Sequence, residues 1–345
     1  MPVKYGVIGC GAIAQRRHIP ECIANPDSVL IGIAEFNQTR CDELGSKYGV
    51  KSFCDHKDLL KMGEIDAVVV SGPNALHAPQ TIDALNAGKH VLCEKPMAVT
   101  REEAKAMIDA AKKNNKYLMI GLNQRLMPPH VRAKEILQTG RLGKVLSFRT
   151  AFKHPGPEGW SVDAAKSWFF RKDQAFMGVT GDLGIHKADL MRWLLGQEFT
   201  EVSGMITTLD KRDGEGNLIA LDDNAFINLK TTDGVIGSMI LSWTNYGQEE
   251  NYTVLYCQNG VMSLGTDPTY GVVVDYKNGE RELHKLGAMS TNAKQVASGV
   301  IDAFTRSIMK SEPPEINGVE GYKSLDVILT AQEAAKAGKT MKISA

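Results

Sequence analysis

The chain has 345 residues, of which 43% are hydrophobic and 23% charged, and its 40 basic side chains balance 40 acidic ones to a formal net charge of +0. This ordinary globular mixture excludes a largely disordered chain, and the lack of a basic excess excludes binding to nucleic acid by phosphate neutralisation. No uncharged apolar stretch approaches the roughly 20 residues of a membrane span. We therefore expect neither a nucleic-acid partner nor a membrane partner.

Short apolar runs alternate with helical patterns over the first 120 or so residues. The runs are rich in Val, Ile and Leu at consecutive positions, which is typical of strands buried on both faces of a parallel sheet. The predicted strands are 3–9, 29–35, 66–72, 89–95 and 116–121, and the helix candidates between them are 38–48, 77–87 and 101–113. This repetition predicts a right-handed, doubly wound α/β domain.

The rhythm changes after about residue 123. A helix candidate at 130–137 leads to a strand at 145–152, a loop rich in Pro, Gly and Trp, and a helical segment near 182–195. Strand-like runs from 200 to 285 are separated by Asp-Gly and Asn-Gly turns, which indicates a largely antiparallel sheet with one face open for packing. Helical stretches at 292–309 and 321–337 follow.

The cysteines indicate the redox compartment. Six are scattered at positions 10, 22, 41, 54, 93 and 257, without a C-x-x-C pair. That scatter argues against a zinc site and against a disulfide framework. The N-terminal apolar run is too short and too rich in glycine for a signal peptide. We expect reduced thiols, no metal and a cytoplasmic protein.

The first predicted strand runs into Gly9-Cys10-Gly11-Ala12-Ile13-Ala14, a dinucleotide-binding fingerprint with alanine in the third small position. Gly9 permits the tight turn, Gly11 lets the backbone approach a pyrophosphate, and Ala14 keeps the helix close to the strand. The following helix N-terminus supplies free N–H groups for phosphates. The motif alone is weak, but here a strand precedes it and a helix follows.

Glu35 ends the second predicted strand, 21 positions after Ala14, where an acid that binds the adenosine ribose hydroxyls is expected. A carboxylate there repels a 2′-phosphate, so NAD is favoured over NADP. Arg40 is close enough in sequence to keep NADP open.

Lys95 closes the run before Pro96, at the carboxyl end of a strand, where open parallel sheets bind their ligands. Its ammonium there would polarise a substrate hydroxyl, whereas the alternative is a surface lysine. The turn that starts at Ser71 and contains Gly72 and Pro73 has the same strand-end position, and Asn74 and His77 after it are candidates to bond the cofactor.

Asp182 and His186 are four residues apart and share a helix face. A carboxylate can hold one imidazole nitrogen and leave the other as a general base near neutral pH. The spacing by itself leaves a purely structural Asp–His pair equally open.

Together these segments resemble the Gfo/Idh/MocA family, named for glucose–fructose oxidoreductase and inositol dehydrogenase. The resemblance rests on GCGAIA at 9–14, the Glu35 strand end, and segments 72–96, 121–129, 140–145 and 178–196, and it extends to the helix after Gly321. It implies a Rossmann domain at 1–123 and a substrate-binding and oligomerisation domain at 124–345 with a large, mostly antiparallel open sheet. The terminal helix at about 321–337 is a candidate to pack back on the first domain.

The resemblance also implies site residues. In the catalytic trio, His186 would take the hydroxyl proton, Lys95 would polarise the oxygen, and Asp182 would orient the substrate or His186. The predicted cofactor-binding residues are Gly9, Gly11, Ala12, Ile13, Glu35, Ser71, Gly72, Pro73, Asn74, His77, Glu94, Lys95 and Asn123. The predicted substrate-binding residues are Lys95, Arg125, Trp160, Trp168, Arg171, Asp182 and His186.

The resemblance predicts an NAD-dependent oxidoreductase, with NADP possible, that acts on a ring carbon of a sugar or cyclic polyol and forms a homodimer or homotetramer. Many inositol-type members read Gly-Gly-Gly before the Asp and His-Asp after it, whereas this chain has 178–181 as Gly-Val-Thr-Gly and Lys187 after His186. A specific assignment to inositol is therefore not made. The alternatives are a sugar- or NAD-sensing regulator without turnover and a glycosidase that uses NAD transiently.

Overall fold

The computed structural model describes residues 1–286 and 297–344. Within them, a first sheet holds parallel strands in the order β3-β2-β1-β4-β5-β6. Its strands are β1 (Val3–Ile8), β2 (Ser28–Ala34), β3 (Lys51–Phe53), β4 (Ala67–Val70), β5 (His90–Cys93) and β6 (Leu118–Ile120). All four residues of β4 are buried, as expected for a strand covered on both faces.

The helices that alternate with these strands are α1 (Ile19–Ala24), α2 (Gln38–Tyr48), α3 (His56–Leu60), α4 (Asn74–Asn86) and α5 (Arg101–Lys113). Side-chain caps fix where two of them begin. Asn37 accepts a hydrogen bond from the Arg40 amide at the start of α2, and Thr100 accepts one from the Glu103 amide at the start of α5. The Glu103 carboxylate reaches back to the amide of Val99, which satisfies another N–H before the first turn.

The second sheet has the order β14-β13-β12-β11-β7-β10-β9-β8-β15 in the described residues. Its strands are β7 (Val145–Lys153), β8 (Phe199–Thr207), β9 (Asn224–Thr231), β10 (Ile236–Ser242), β11 (Glu250–Cys257), β12 (Gly260–Leu264), β13 (Val272–Tyr276), β14 (Arg281–His284) and β15 (Met341–Lys342). Only the β7–β10 pairing of this sheet is parallel. The predicted fold class, a Rossmann sheet plus a mostly antiparallel sheet, is confirmed.

The remaining helices are α6 (Pro128–Gln138), α7 (Lys172–Ala175), α8 (Ile185–Leu195), α9 (Val300–Lys310) and α10 (Gly318–Ala337). Helix α8 packs on β7, and α10 packs on β8, on α8 and also on α5 and β6 next to the first sheet. These contacts cover one face of the second sheet. The other face exposes large apolar side chains, among them Met205, Phe226 and Ile236.

Some boundaries differ from the sequence predictions. Strand β3 and helix α3 were not predicted, because a three-residue strand with no buried residue and one short helix carry too little hydrophobic pattern. The helix predicted at 77–87 begins at Asn74, and the terminal one begins at Gly318. The helix predicted from 292 begins at Val300, since 297–299 are not helical; 292–296 lie outside the described residues. No helix in the described residues is long and apolar enough to span a membrane.

Candidate active site

The turn after β1 has the backbone that a bound pyrophosphate requires. Gly9 has φ of +82°, and a Cβ there would lie 2.5 Å from the amide nitrogen of Gly72, so only glycine fits. A Cβ on Gly11 would meet no protein atom within 4 Å, because this backbone faces an open groove. Ala14 is fully buried. These positions fit the roles that the fingerprint assigns for NAD.

Glu35 lies just beyond β2 with its carboxylate held in place. Its side chain accepts hydrogen bonds from the amides of Cys10 at 2.9 Å and Asn37 at 3.1 Å. The Arg40 guanidinium donates to it at 3.3 Å. The residue is 3% exposed, so the carboxylate is fixed at the edge of the groove rather than free in solvent.

A groove of about 520 Å³ runs along the carboxyl ends of the strands of the first sheet. Residues 160–174, from between β7 and α7 and from α7 itself, form its other wall in part. The predicted cofactor-binding residues that line it are Gly9, Gly11, Ala12, Ile13, Glu35, Ser71, Gly72 and Pro73. The Ser71 hydroxyl donates to the Gly9 carbonyl at 2.7 Å, which joins the two turns at the groove floor.

Asn74 and His77 hold polypeptide segments together. The Asn74 amide donates to the carbonyl of Ala175 at 2.9 Å. The His77 ring lies between the carbonyls of Pro96 at 2.7 Å and Gly72 at 3.0 Å, and burial lowers the pKa of His77. Both residues border a second, smaller cavity beside Lys95, and their polar groups support the turns around it.

Lys95, which follows β5 of the first sheet, contacts Asp182, which lies in the turn before α8. The Lys95 Nζ donates to Asp182 Oδ1 at 2.7 Å and to its carbonyl at 3.0 Å. The Trp243 indole N–H donates to the other carboxylate oxygen at 3.1 Å. Burial alone would raise the pKa of Asp182, but Lys95 and His154 bring it below its usual range. The carboxylate therefore stays ionised and fixes the orientation of the Lys95 amine.

His186 lies one turn further, at the start of α8, and is buried beside Lys95 and Asp182. A turn of π-helix, Thr180–Gly184, precedes it. Burial lowers the pKa of His186 well below its usual value, and the positive charge of Lys95 acts in the same direction. Its Nδ1 has no protein hydrogen-bond partner in the described part of the chain. The structure thus brings the neutral imidazole of His186 close to the ammonium of Lys95.

Comparisons with known proteins match this arrangement. Residues 3–122 match the model described as "Oxidoreductase family, NAD-binding Rossmann fold", and residues 130–263 match the "GFO/IDH/MocA C-terminal domain". The chain belongs to the Gfo/Idh/MocA family. The predicted family, the NAD cofactor and the classification as an oxidoreductase are confirmed.

Relatives of this Gfo/Idh/MocA protein are sugar and polyol dehydrogenases. Levoglucosan dehydrogenase of Pseudarthrobacter phenanthrenivorans is 33% identical over 64% of this chain, an alignment that spans 60% of that protein. Myo-inositol 2-dehydrogenase of Thermotoga maritima is 25% identical over 99% of this chain and 98% of its own. The aldose-aldose oxidoreductase of Caulobacter crescentus, crystallised with glycerol, superposes with a TM-score of 0.85 at 26% identity, covering 99% of this chain and 100% of that one.

The predicted aromatic residues cover the site of this family member. Trp168 stacks on Phe169 with ring centroids 3.9 Å apart, and Trp160 meets Phe169 edge-on at 5.1 Å. The cavity that these rings leave beside Lys95 is about 40 Å³. Arg171 lines the wider groove and pairs with Asp173 at 2.8 Å.

Arg125 and Asn123 lie in the interior. The Arg125 guanidinium binds Asp189 through two hydrogen bonds of 2.7 and 2.5 Å and Glu320 at 2.7 Å. With both carboxylates engaged, this arginine joins α8 to α10, which favours a structural role over the predicted substrate contact. Asn123 is buried at the start of a 3-10 turn, Asn123–Leu126, and does not line either of the two cavities.

Sequence reasoning missed two features around Lys95: the partners of Glu94, which are His18 and Arg17, and the residue His154. The predicted cofactor residue Glu94 binds His18 Nε2 at 2.8 Å and lies near Arg17, and these partners hold the pKa of Glu94 far below its usual range although burial opposes them. The only signal was a run of basic residues in the helix after the fingerprint.

The second missed feature is His154, which follows β7. Its Nδ1 accepts the Gly156 amide at 2.9 Å, so the hydrogen of the neutral ring is on Nε2, which lies 3.8 Å from Asp182 Oδ2. Burial lowers the pKa of His154. The only feature of the sequence that could have indicated His154 is its position directly after a predicted strand, at the start of the Pro- and Trp-rich loop.

Among the described residues, no group of three or more His, Cys, Asp and Glu side chains is placed to hold a metal ion. All six cysteines are free thiols, and five of them are buried.

Proposed function

We propose that the protein oxidises a secondary hydroxyl on a ring carbon of a sugar or cyclic polyol, or reduces the matching ketone, with NAD as hydride carrier. The observation that carries the proposal is the convergence of Lys95, Asp182 and His186. Lys95 lines the smaller cavity, which shares Ser71 and Gly72 with the groove that has Glu35, whereas Asp182 and His186 are buried behind it and line neither cavity. Bound NAD supplies a hydride acceptor at its nicotinamide ring. The remaining chemistry is proton handling by the protein.

Lys95 is the group that contacts the hydroxyl oxygen in this proposal. Its ammonium is fixed by Asp182, so it is oriented before substrate arrives and can donate a hydrogen bond to the oxygen as the C–O bond gains double-bond character. Asp182 acts through Lys95 and stays ionised, because Trp243 and Lys95 both donate to it.

His186 is the proton acceptor in the oxidative direction. Because burial and Lys95 lower the pKa of His186, its ring is neutral near pH 7 and has a nitrogen lone pair for the hydroxyl proton. The same group returns the proton when a ketone is reduced. The resulting imidazolium would lie near the carboxylates of Asp182 and Glu94, whose charges favour it.

The family and the walls of the site support this substrate class. Relatives act, by their names, on levoglucosan and inositol, both of which are ring polyols. Trp160 and Trp168 line the cavity beside Lys95, and aromatic side chains suit the C–H faces of such a ring. We assign cofactor binding to residues 1–123, and substrate binding and subunit contacts to 124–345.

A substrate panel tests the function. Purified protein is mixed with NAD or NADP and a set of cyclic polyols, aldoses and anhydrosugars, and the absorbance of reduced nicotinamide at about 340 nm is followed. We expect initial rates above background with at least one ring polyol and NAD. Failure across the panel and with the matching ketones and NADH would refute the proposal.

The Lys95→Met variant tests the mechanism. We expect turnover to fall by at least about a hundredfold, the usual range for loss of a proton-transfer or oxyanion-stabilising group, while NADH still binds by fluorescence titration. The exposed lysine variant Lys310→Met is the control and should match the wild type. Wild-type turnover in Lys95→Met would remove this amine from the mechanism.

A further inference from the structure

Arg40 occupies the position that decides between NAD and NADP in dinucleotide-binding folds. It lies in the first turn of α2, beyond the end of β2, where an arginine in NADP enzymes accommodates the 2′-phosphate of the adenosine ribose. Its guanidinium lines the cofactor groove and donates to the Glu35 carboxylate at 3.3 Å. On sequence grounds this arginine left NADP open as a cofactor.

A second carboxylate reaches Arg40 from the other side of the groove. Asp163 belongs to the segment between β7 and α7 that forms the opposite wall. Its Oδ1 lies 3.2 Å from the Arg40 Nη2, so one guanidinium bridges two carboxylates that are 128 positions apart in the chain, at 35 and 163. The contact joins the cofactor-binding wall to the substrate-side wall over the adenosine end.

The charges of these three side chains work against a 2′-phosphate. Two carboxylates face one guanidinium, so the trio has one net negative charge at the edge of the groove. The two terminal nitrogens of the guanidinium, which would grip a phosphate, are directed to the carboxylates instead, Nη1 to Glu35 and Nη2 to Asp163. The ribose hydroxyls of NAD carry no charge and can bind Glu35 without displacing Arg40 from Asp163.

We propose that Asp163, a residue of the segment that crosses the groove, is a cofactor-specificity residue that holds Arg40 away from the adenosine 2′ position and so excludes NADP. Without the Asp163 charge, the net charge of the trio is zero and Arg40 can rotate toward a 2′-phosphate. Asp163 does not touch the reacting carbon, so the inference concerns cofactor choice alone. It rests on the proposed function, in which NAD is the hydride carrier.

The test is direct binding of NADH and NADPH to purified protein by nucleotide fluorescence, without any sugar. For Asp163→Asn we expect the NADPH affinity to rise about tenfold, which corresponds to about 1.4 kcal/mol, while the NADH affinity stays within about twofold. The gain should shrink at high salt, because the new contact is between exposed charges. The control is Asp109→Asn, which removes an exposed carboxylate from α5, outside the groove lining.

A double variant separates this role from a structural one. In an Arg40→Met background, adding Asp163→Asn should raise the NADPH affinity by clearly less than it does with Arg40 present, since the arginine through which Asp163 mainly acts is absent and only the direct charge repulsion is relieved. An unchanged NADPH affinity in Asp163→Asn, or a gain of the same size without Arg40, would overturn the inference. If the wild type binds neither dinucleotide, the proposed function itself fails; if it binds NADH and only the Asp163 result is negative, the proposed function stands.

Discussion

Replacing Lys187 by Met should stabilise the protein by an amount that depends strongly on pH. Lys187 follows His186 on α8, and its side chain is completely buried. Its Nζ donates to the Tyr252 carbonyl at 3.4 Å and lies 5.8 Å from the centre of the Phe152 ring, and no carboxylate pairs with it among the described residues. Burial lowers the pKa of Lys187 to about 7.

The size of the effect follows from that pKa. An unfolded lysine has a pKa of about 10.4, so between pH 7 and pH 10 the unfolded chain binds a proton that the native chain does not, and the free energy of unfolding rises with pH. The lysine costs about 5 kcal/mol at pH 6, where both states are protonated, and about 2 kcal/mol at pH 9. The advantage of Lys187→Met should therefore shrink by about 3 kcal/mol over this interval. His130, the titratable neighbour on α6, has a pKa lowered to about 3 by burial and by Lys187, so it stays neutral throughout.

Urea unfolding at pH 6 and pH 9, followed by tryptophan fluorescence, measures the difference. Methionine is close to lysine in length and apolar, so the variant keeps the packing while it removes the amine. The exposed variant Lys144→Met is the control for loss of one positive charge and should show no such pH-dependent gain. Equal stabilisation by Lys187→Met at both pH values would show that the buried amine does not titrate as the structure implies.

Two further predictions concern the catalytic rate and the assembly. Since burial and Lys95 lower the pKa of His186, the acidic limb of kcat/KM for oxidation should have its midpoint below the ordinary histidine value of about 6.5, and a midpoint at or above that value would contradict a buried neutral base. The outer face of the second sheet should form the subunit contact, because Phe226 and its register partner Met205 are 51% and 73% exposed there. Light scattering should then show an oligomer for the wild type and a smaller species for Phe226→Asp; a monomeric wild type would refute this.

The parts of the fold that could be predicted from sequence are those with a local signature. The buried runs of the first sheet, the glycine turn at Gly9 and the acid at Glu35 all have a fixed spacing that reflects one strand–turn–helix unit. The strand-end position of Lys95 follows in the same way, because parallel strands place their carboxyl ends at one edge.

What could not be predicted depends on contacts between distant segments. The pair of His18 with Glu94 joins residues 76 positions apart, and the indole of Trp243 reaches Asp182 over 61 positions. No periodicity records such pairs, since the first depends on how the helical turn after β1 packs beside the end of β5, and the second on how the turn before α8 packs beside the end of β10. The substrate contact assigned to Arg125 shows the same limit, because its two carboxylate partners, Asp189 and Glu320, lie on helices remote in sequence.

In the proposed function, the aromatic segment also limits how a sugar ring can reach Lys95. The cavity beside this amine, about 40 Å³, is far below the roughly 300 Å³ of a small pocket for organic ligands, so the rings of Trp168 and Phe169 must move before a sugar ring enters. Nearby, the Trp160 indole nitrogen and the His154 Nε2 are buried without a protein partner among the described residues, and each such group costs about 1–3 kcal/mol. Trp160 borders this cavity, so a hydroxyl of the proposed polyol would give its indole N–H an acceptor. Binding the polyol would offset part of the free energy needed to separate the rings, whereas an apolar ring of the same size would have to open the site without that gain.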